Sequence, residues 1–259
     1  MHRYAAPDLK PMAGHLTNFL GVRINPEFFP GLLNGRAGEV EGAPLPANWH
    51  ADIAEWGAAF RAVDLSRETF TMIELGCGWG CWMNNTGVAA RRVSRKVHLI
   101  GVEGDEGHIE FAKESLATNG FGPDEFDLHH GIAAANAGIA LFPKQEQAGM
   151  KWGLEPVFGA TEEQQRQQRE AVKAGSHDAL PMVPMSQLVA DHARVDLLHI
   201  DIQGGEADLV EGCLPLLNEK IAYMLIGTHS KQIEGRLYDR LLGVGWRLEL
   251  ERAAHTGTH

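Results

Sequence analysis

Three alternating glycines, Gly76, Gly78 and Gly80, follow a short apolar run and precede a stretch whose pattern could begin a helix. We call them the glycine turn. Glycine adopts positive φ at little cost and has no Cβ, so backbone can approach a ligand closely, and the first NH groups of the next helix can bind that ligand. Glu74, just ahead of the turn, would repel a pyrophosphate and attract an ammonium group. The pattern predicts a strand, turn and helix that bind a cationic nucleoside, with Cys77 in the wall of the pocket.

A second acidic side chain, Glu103, follows the next apolar stretch, residues 97–102. A carboxylate at the carboxyl end of the second strand can accept hydrogen bonds from both hydroxyls of a ribose. A solvated charge at a strand end is the alternative interpretation of Glu103 taken alone. Together with the glycine turn, Glu103 predicts a binding site for an adenosine.

The spacing of the glycines also distinguishes between ligand classes. A dinucleotide fingerprint has the spacing G-x-G-x-x-G, whereas here the third glycine comes two residues after the second, and Cys81 stands where the fingerprint expects Gly or Ala. The pattern E-x-G-x-G-x-G, which begins at Glu74, resembles motif I of the methyltransferases that use S-adenosyl-L-methionine (SAM) and have a Rossmann-like fold. This resemblance implies SAM as cofactor, held by the glycine turn and Glu103. It also implies that Gly131 and Ile132, beyond the third predicted strand, flank the adenine.

The second group of polar residues comes after an apolar stretch that ends at Asp201. It contains Gln203, two glycines and Glu206, and a pattern typical of a helix follows. The run L-L-H-I-D-I-Q-G-G-E-A-D-L-V resembles the signature of the FkbM-type methyltransferases, and the resemblance extends over about residues 70–250. It implies that Asp201 lies between the methionine end of SAM and the acceptor, and contacts both. For Glu206, at a helix start, a capping or helix-dipole role is an equally good interpretation.

The resemblance to FkbM-type enzymes implies an O-methyltransferase that acts on a hydroxyl of a sugar, polysaccharide or glycosylated metabolite. Three alternatives stay open at this point: a non-sugar small molecule as acceptor, a protein as acceptor, or a SAM-binding module without catalysis. A nicotinamide-dependent dehydrogenase would share the α/β fold, but Glu74 and the glycine spacing argue against a pyrophosphate ligand.

His229 follows the apolar stretch 221–226, which is predicted to lie beside the strand that ends at Asp201. The two side chains should therefore meet at one edge of the sheet, where a carboxylate could orient the imidazole as a general base. A divalent metal such as Mg²⁺ is the other way to activate an alcohol, with Asp201, His229 and His199 as candidate ligands. No ligand spacing in the sequence identifies a metal site.

The remaining pattern predicts an α/β, Rossmann-like class I methyltransferase fold: a mostly parallel, twisted sheet with helices on both faces. Apolar stretches predict strands near residues 70–73, 97–102, 126–132, 195–200 and 221–226, and helices near 81–92 and 107–119. The alternating segment 246–250 predicts a last, antiparallel strand.

Two domains or subdomains are expected. Residues 1–66 form an irregular arm with one strand and a capping helix, whose apolar stripe runs from Trp49 to Val63. Residues 67–259 form the methyltransferase domain. An insertion at about 141–185, with a polar helical run at 162–173, is expected to cover the site as a lid.

Composition limits the classes of partner. The chain has 259 residues, 44% of them hydrophobic, and a net charge of −11. The absence of a Lys/Arg-rich run argues against nucleic acid as partner. No apolar run is long enough to span a membrane, and the N-terminus lacks the apolar core of a signal peptide, so a cytoplasmic protein with a small-molecule or saccharide acceptor is expected. The three cysteines are expected to be reduced. Companion domains in a longer protein and a homo-oligomer both stay open.

Overall fold

The computed structural model describes residues 1–147, 149–159, 166 and 170–252. Two 3-10 turns, His2–Tyr4 and Pro26–Phe28, lie in the N-terminal part. The strands are β1 (Leu16–Thr17), β2 (Arg23–Ile24), β3 (Thr69–Leu75), β4 (Lys96–Glu103), β5 (Phe126–His130), β6 (Ile132–Ala134), β7 (Gly138–Pro143), β8 (Val157–Phe158), β9 (His177–Pro184), β10 (Leu197–Ile200) and β11 (Met224–Ile226). The helices are α1 (Ile53–Leu65), α2 (Cys81–Arg92), α3 (Glu106–Thr118), α4 (Met185–Leu188), α5 (Glu206–Lys220) and α6 (Lys231–Gly243).

The main sheet has five strands in the order β11-β10-β3-β4-β5, and every neighbouring pair is parallel. From β3 the chain first adds β4 and β5 on one side and later β10 and β11 on the other. The strand order therefore reverses between β3 and β10, and open α/β sheets bind their ligands at the carboxyl ends of such a strand pair. Leu75 is in register with Ile200, so the glycine turn and Asp201 leave the sheet side by side.

Helices cover both faces of this sheet, as the sequence predicts. β3 is buried over its last six residues, as expected for a parallel strand covered on both sides. Phe70 and Met72 point into a core formed with α1, α2 and α3. Ile73 and Leu75 point into a second core formed with α4, α5 and α6. The α/β, Rossmann-like fold is thereby established, with a wholly parallel main sheet.

The N-terminal part differs from the predicted arm with one strand. It forms an antiparallel pair, β1 with β2, and several of its apolar side chains are fully buried in the core shared with α1 and α2. Tyr4 stacks on Phe60 of α1 with 4.7 Å between ring centroids, and Phe28 stacks on Trp79 beside the glycine turn at 5.9 Å. Trp49 precedes α1 and does not belong to it.

The predicted third strand, 126–132, is two strands in two sheets. β5 pairs with β4, whereas β6 belongs to a second sheet of four strands in the order β6-β9-β7-β8. The change of direction falls at Gly131, where a Cβ would lie only 2.6 Å from the carbonyl oxygen of Pro181. Most of the second sheet comes from the predicted insertion. The predicted helical run 162–173 lies outside the described residues except for Arg166 and 170–173, which are helical.

The predicted last strand at 246–250 is wrong: this segment forms no strand. Leu248 and Leu250 are about half exposed, so the alternating apolar residues have no sheet face against which to pack. Side chains attach the segment instead. Trp246 Nε1 donates a 2.6 Å hydrogen bond to Asn218 on α5, and Glu249 pairs with Arg61 on α1 at 3.2 Å.

None of the helices in the described ranges combines the length and apolar character needed to cross a bilayer.

Candidate functional site

A cavity of about 390 Å³ opens at the carboxyl edge of the main sheet, at the switch between β3 and β10. Of the residues predicted for the site, those that line the cavity are Gly76, Glu103, Gly131, Ile132 and Asp201. Those that do not line it are Glu74, Cys77, Gly78, Gly80 and His229. The structure therefore brings the carboxyl ends of four strands, β3, β4, β5 and β10, to one cavity, and part of the glycine turn lies behind the cavity wall.

Gly76 is the point of closest approach between the two halves of the site. Its φ is +73°, and a Cβ there would lie 2.1 Å from the carbonyl oxygen of Asp201. No other residue type fits this position without moving the end of β10. Gly78 is covered by a side chain and not by backbone: a Cβ added there would lie 2.5 Å from the ring of Trp152. Gly80 precedes α2 in the left-handed conformation.

The carboxylate of Glu74 faces away from the cavity. It accepts hydrogen bonds from the backbone NH groups of Trp82 and Met83, at 3.2 and 2.9 Å, and the side chain is only 2% exposed. A carboxylate in this position satisfies free donors at the N-terminus of α2 and interacts favourably with the helix dipole. The structure therefore assigns Glu74 to the support of the turn and does not place it at a ligand's ammonium group.

The two cysteines of the turn are also structural in their surroundings. Cys77 packs in the apolar core, and burial raises the pKa of its thiol well above the ordinary value. Burial likewise raises the pKa of Cys81, whose sulfur lies 3.4 Å from His50 Nε2. Neither thiol is set up as a thiolate nucleophile.

Glu103 connects the glycine turn to α3. Its Oε2 accepts a hydrogen bond from the NH of Gly78, and its Oε1 accepts one from the NH of Asp105, each at 2.9 Å. Since an ionised carboxylate offers about four lone-pair sites, two further acceptor sites remain for a ligand's hydroxyl groups.

Beyond Asp201, three side chains meet between β10, α5 and the loop after β11. His229 Nδ1 lies 2.8 Å from Glu206 Oε1, and His229 Nε2 lies 3.3 Å from Asp201 Oδ1. Glu206 is completely buried, while the side chain of Asp201 is 43% exposed and that of His229 33%. We call these residues the Asp-Glu-His cluster. Of the three, only Asp201 lines the cavity. His229 lies behind Asp201 as seen from the cavity.

His199 lies in different surroundings. Its Nδ1 is 3.5 Å from Glu74 Oε1, its ring packs near Trp82, and it is 7% exposed. The structure thus groups His229 with Glu206, for which the sequence left a signature role and a capping or helix-dipole role equally open, and not with His199. Glu206 also accepts hydrogen bonds from the NH groups of Ile202 and Gly204, at 3.3 and 3.0 Å. Glu206 makes no capping hydrogen bond to α5, so of the two expected local roles its place in the first turn fits only the helix-dipole one.

Several wall residues come from positions that carry no signal in the sequence. Trp152 lies in the segment before β8 and stacks on His108 of α3 at 4.0 Å between centroids. That segment is attached by Asp105, whose Oδ1 accepts hydrogen bonds from the NH groups of His108 and Gly149, at 3.0 and 2.7 Å. Asp105 could have been found as a helix N-cap before α3, but nothing near Trp152 predicts its place.

The residues present fit a nucleoside. Glu103 offers carboxylate oxygens for two hydroxyls, Ile132 and Phe142 form an apolar wall suited to a base, and Gly76 is part of the wall at the end of β3. Asp201 and Gln203 also line the cavity. Gln203 has φ of +58°, an uncommon value for a residue other than glycine, and such conformations cluster at ligand sites.

No family model matches the sequence. It is 45% identical over 255 residues to a protein of Jannaschia sp. (strain CCS1) named "Putative methyltransferase", and the match covers 98% of this chain and 90% of that protein. Methyltransferase FkbM from Methylobacillus flagellatus KT is similar in structure with a TM-score of 0.43 and 14% identity, over 68% of this chain and 40% of that chain. The METTL16 methyltransferase domain has a TM-score of 0.41 and 10% identity, over 75% and 57%. These two TM-scores are too low to bear on function.

Proposed function

This chain belongs to the methyltransferase family, and we propose that it is a SAM-dependent O-methyltransferase of the FkbM type. The proposed acceptor is a hydroxyl of a sugar, polysaccharide or glycosylated metabolite. The observation that carries the proposal is the close approach of Gly76 to the backbone of Asp201. Because of it, the glycine turn and the end of β10 line one cavity. The FkbM-like run around Asp201 supports the type of enzyme.

We assign each end of the cofactor to a different part of the cavity wall. SAM supplies an activated methyl group when it is bound. Glu103 would hold the ribose, Gly131 and Ile132 would flank the adenine, and the wall at Gly76 would lie beside the methionine part. Glu74 supports this arrangement from behind, because it stabilises the helix that follows the turn.

Asp201 and His229 are the residues that we propose to act on the acceptor. An alcohol is a weak acid, so the enzyme must assist the loss of its proton as the methyl group arrives. Asp201 lines the cavity, and His229 lies within 3.3 Å of its carboxylate. Alignment of the hydroxyl by Asp201, with exclusion of water by the walls of the cavity, would supply much of the rate enhancement.

Mass spectrometry tests this proposal. The protein is incubated with SAM and with panels of sugars, oligosaccharides and glycosylated metabolites, and the expected result is a mass gain of one methyl group on a hydroxyl. Asp201→Ala and His229→Ala should each lower turnover more than tenfold, which corresponds to about 1.4 kcal/mol in the barrier. Asp239→Ala, a change of an exposed carboxylate on α6, serves as control.

Two results would contradict the proposal. Methylation of a nitrogen or of a protein side chain would refute the acceptor class. Turnover within tenfold of wild type in both active-site variants would refute the roles of Asp201 and His229.

A further inference from the structure

The Asp-Glu-His cluster has buried acceptor atoms that no donor satisfies. Asp201 Oδ1 and Glu206 Oε2 are both buried and form no hydrogen bond with any described residue. His229 Nε2 is near enough to Asp201 Oδ1 for an ion pair, but the two groups are not aligned as a hydrogen bond. A buried carboxylate oxygen without a partner destabilises the fold, so these two atoms call for a positively charged ligand.

The surrounding side chains do not supply that charge. Among the described residues, neither Asp201 nor Glu206 pairs with a lysine or arginine, and the nearest charged groups on α6 are paired elsewhere. Arg236 binds Asp208 at 2.6 Å, and Lys231 pairs with Glu234. Two carboxylates therefore face one imidazole, which carries a charge only when protonated.

The geometry of the cluster suits a small divalent cation. One ligand atom from each of Asp201, Glu206 and His229 lies within 4.8 Å of the other two. The 2.8 Å between His229 Nδ1 and Glu206 Oε1 is close to the roughly 3 Å expected between neighbouring ligands of an octahedral ion whose bonds are about 2.1 Å long. Nδ1 would then bind the cation in place of its hydrogen bond to Glu206, and the ring's proton would lie on Nε2, beside Asp201 Oδ1.

We propose that Asp201, Glu206 and His229 bind one divalent cation of the Mg²⁺ or Mn²⁺ class at the acceptor side of the cavity. Two carboxylate oxygens and one imidazole are ligands that such hard cations accept. The completely buried Glu206, with its unpartnered Oε2, distinguishes this site from a set of exposed acidic side chains.

This inference deepens the proposed function and rests on it for its chemical role. Three protein ligands leave coordination positions that face the cavity through Asp201, and an acceptor oxygen bound there would lose its proton more readily. His229 then serves as a ligand, and the proton leaves to solvent or to a neighbouring carboxylate. A bound cation would also explain why Glu206 is buried. Its hydrogen bonds to the nearby backbone use only Oε1, so Oε2 is left for the cation.

Binding of Mn²⁺ tests the site without any acceptor. The full chain is titrated with Mn²⁺, and the free ion is followed by its electron paramagnetic resonance signal. Wild type should bind one Mn²⁺, and Glu206→Gln, Asp201→Asn and His229→Gln should each weaken binding at least tenfold. Asp239→Asn removes an exposed carboxylate from α6 and should leave Mn²⁺ binding within twofold of wild type. Because Asp201 is half exposed, Asp201→Asn is the variant that keeps the fold even where Glu206→Gln does not.

The outcomes separate the cation site from the proposed function. Mn²⁺ binding by wild type that is no tighter than by Asp201→Asn overturns the site. Methyl transfer that is unchanged after dialysis against EDTA overturns its role in the reaction. SAM binding, measured by calorimetry on the same samples, tests the proposed function separately from the cation site. If wild type binds Mn²⁺ but not SAM, the proposed SAM-dependent function is refuted and the cation site is not.

Discussion

The carboxylate of Glu103 holds the glycine turn directly, because its Oε2 accepts a 2.9 Å hydrogen bond from the NH of Gly78. The same carboxylate binds the NH of Asp105 at the start of α3 through Oε1. A residue predicted as a ligand contact is therefore also the link between the first two strand ends of the site. Replacement of Glu103 should consequently affect binding and stability together.

Glu103→Gln should weaken SAM binding at least tenfold. The amide keeps the size of the side chain but loses the charge, and hydrogen bonds to charged groups contribute about 1.5–3 kcal/mol. Isothermal titration calorimetry with SAM measures the change. Glu106→Gln, an exposed neighbour in the first turn of α3, is the matched control and should bind as wild type does. Equal affinity of Glu103→Gln and wild type would remove Glu103 from the cofactor site.

Gly76→Ala should destabilise the protein more than Gly175→Ala does. Both glycines have φ near +72°, but an added Cβ meets the carbonyl oxygen of Asp201 at 2.1 Å in the first case and nothing within 4 Å in the second. The backbone strain of about 1–2 kcal/mol is common to both variants. The clash should add about 2 kcal/mol at Gly76. Urea denaturation gives the free energies of unfolding of both variants. If both variants lose the same stability relative to wild type, the backbone at Asp201 can move away from the added Cβ.

His50 should make stability depend on pH in the acidic range. Burial among aromatic rings lowers the pKa of His50 from 6.5 to about 4. The unfolded chain therefore binds a proton at a pH where the folded chain does not. This contribution is complete above pH 6.5 and is lost as the pH falls from 6.5 toward 4. The loss amounts to at most about 3 kcal/mol.

His50→Gln isolates this effect from the other histidines. Free energies of unfolding are measured for wild type and variant at several pH values between 4 and 7. As the pH falls, the free energy of unfolding should decrease more steeply for wild type than for the variant. Above pH 7 the two slopes should be equal. Parallel curves would mean that His50 titrates normally in the folded protein.

Local patterns in the sequence predicted most of the elements that carry the site. The predicted helix 81–92 agrees with α2 at both ends, since the left-handed Gly80 and the start of the apolar pattern define its beginning locally. The strand that ends at Glu103 and the apolar stretch that ends at Asp201 were also predicted, because buried parallel strands appear as continuous apolar runs. The strand at 246–250 was wrong, since alternation alone cannot supply a neighbouring strand.

By itself, the sequence determined the glycine turn and the acidic strand ends, because each depends on the chain within a few residues. It also determined the parallel α/β arrangement, because strands alternate with helices along the chain. Only the tertiary structure decided which way the carboxylates face. Glu74 lies next to the turn, yet the free NH groups of α2 draw its side chain away from the cavity. Glu206 meets His229 across 23 residues, a contact set by the parallel alignment of β10 and β11 and invisible to local spacing.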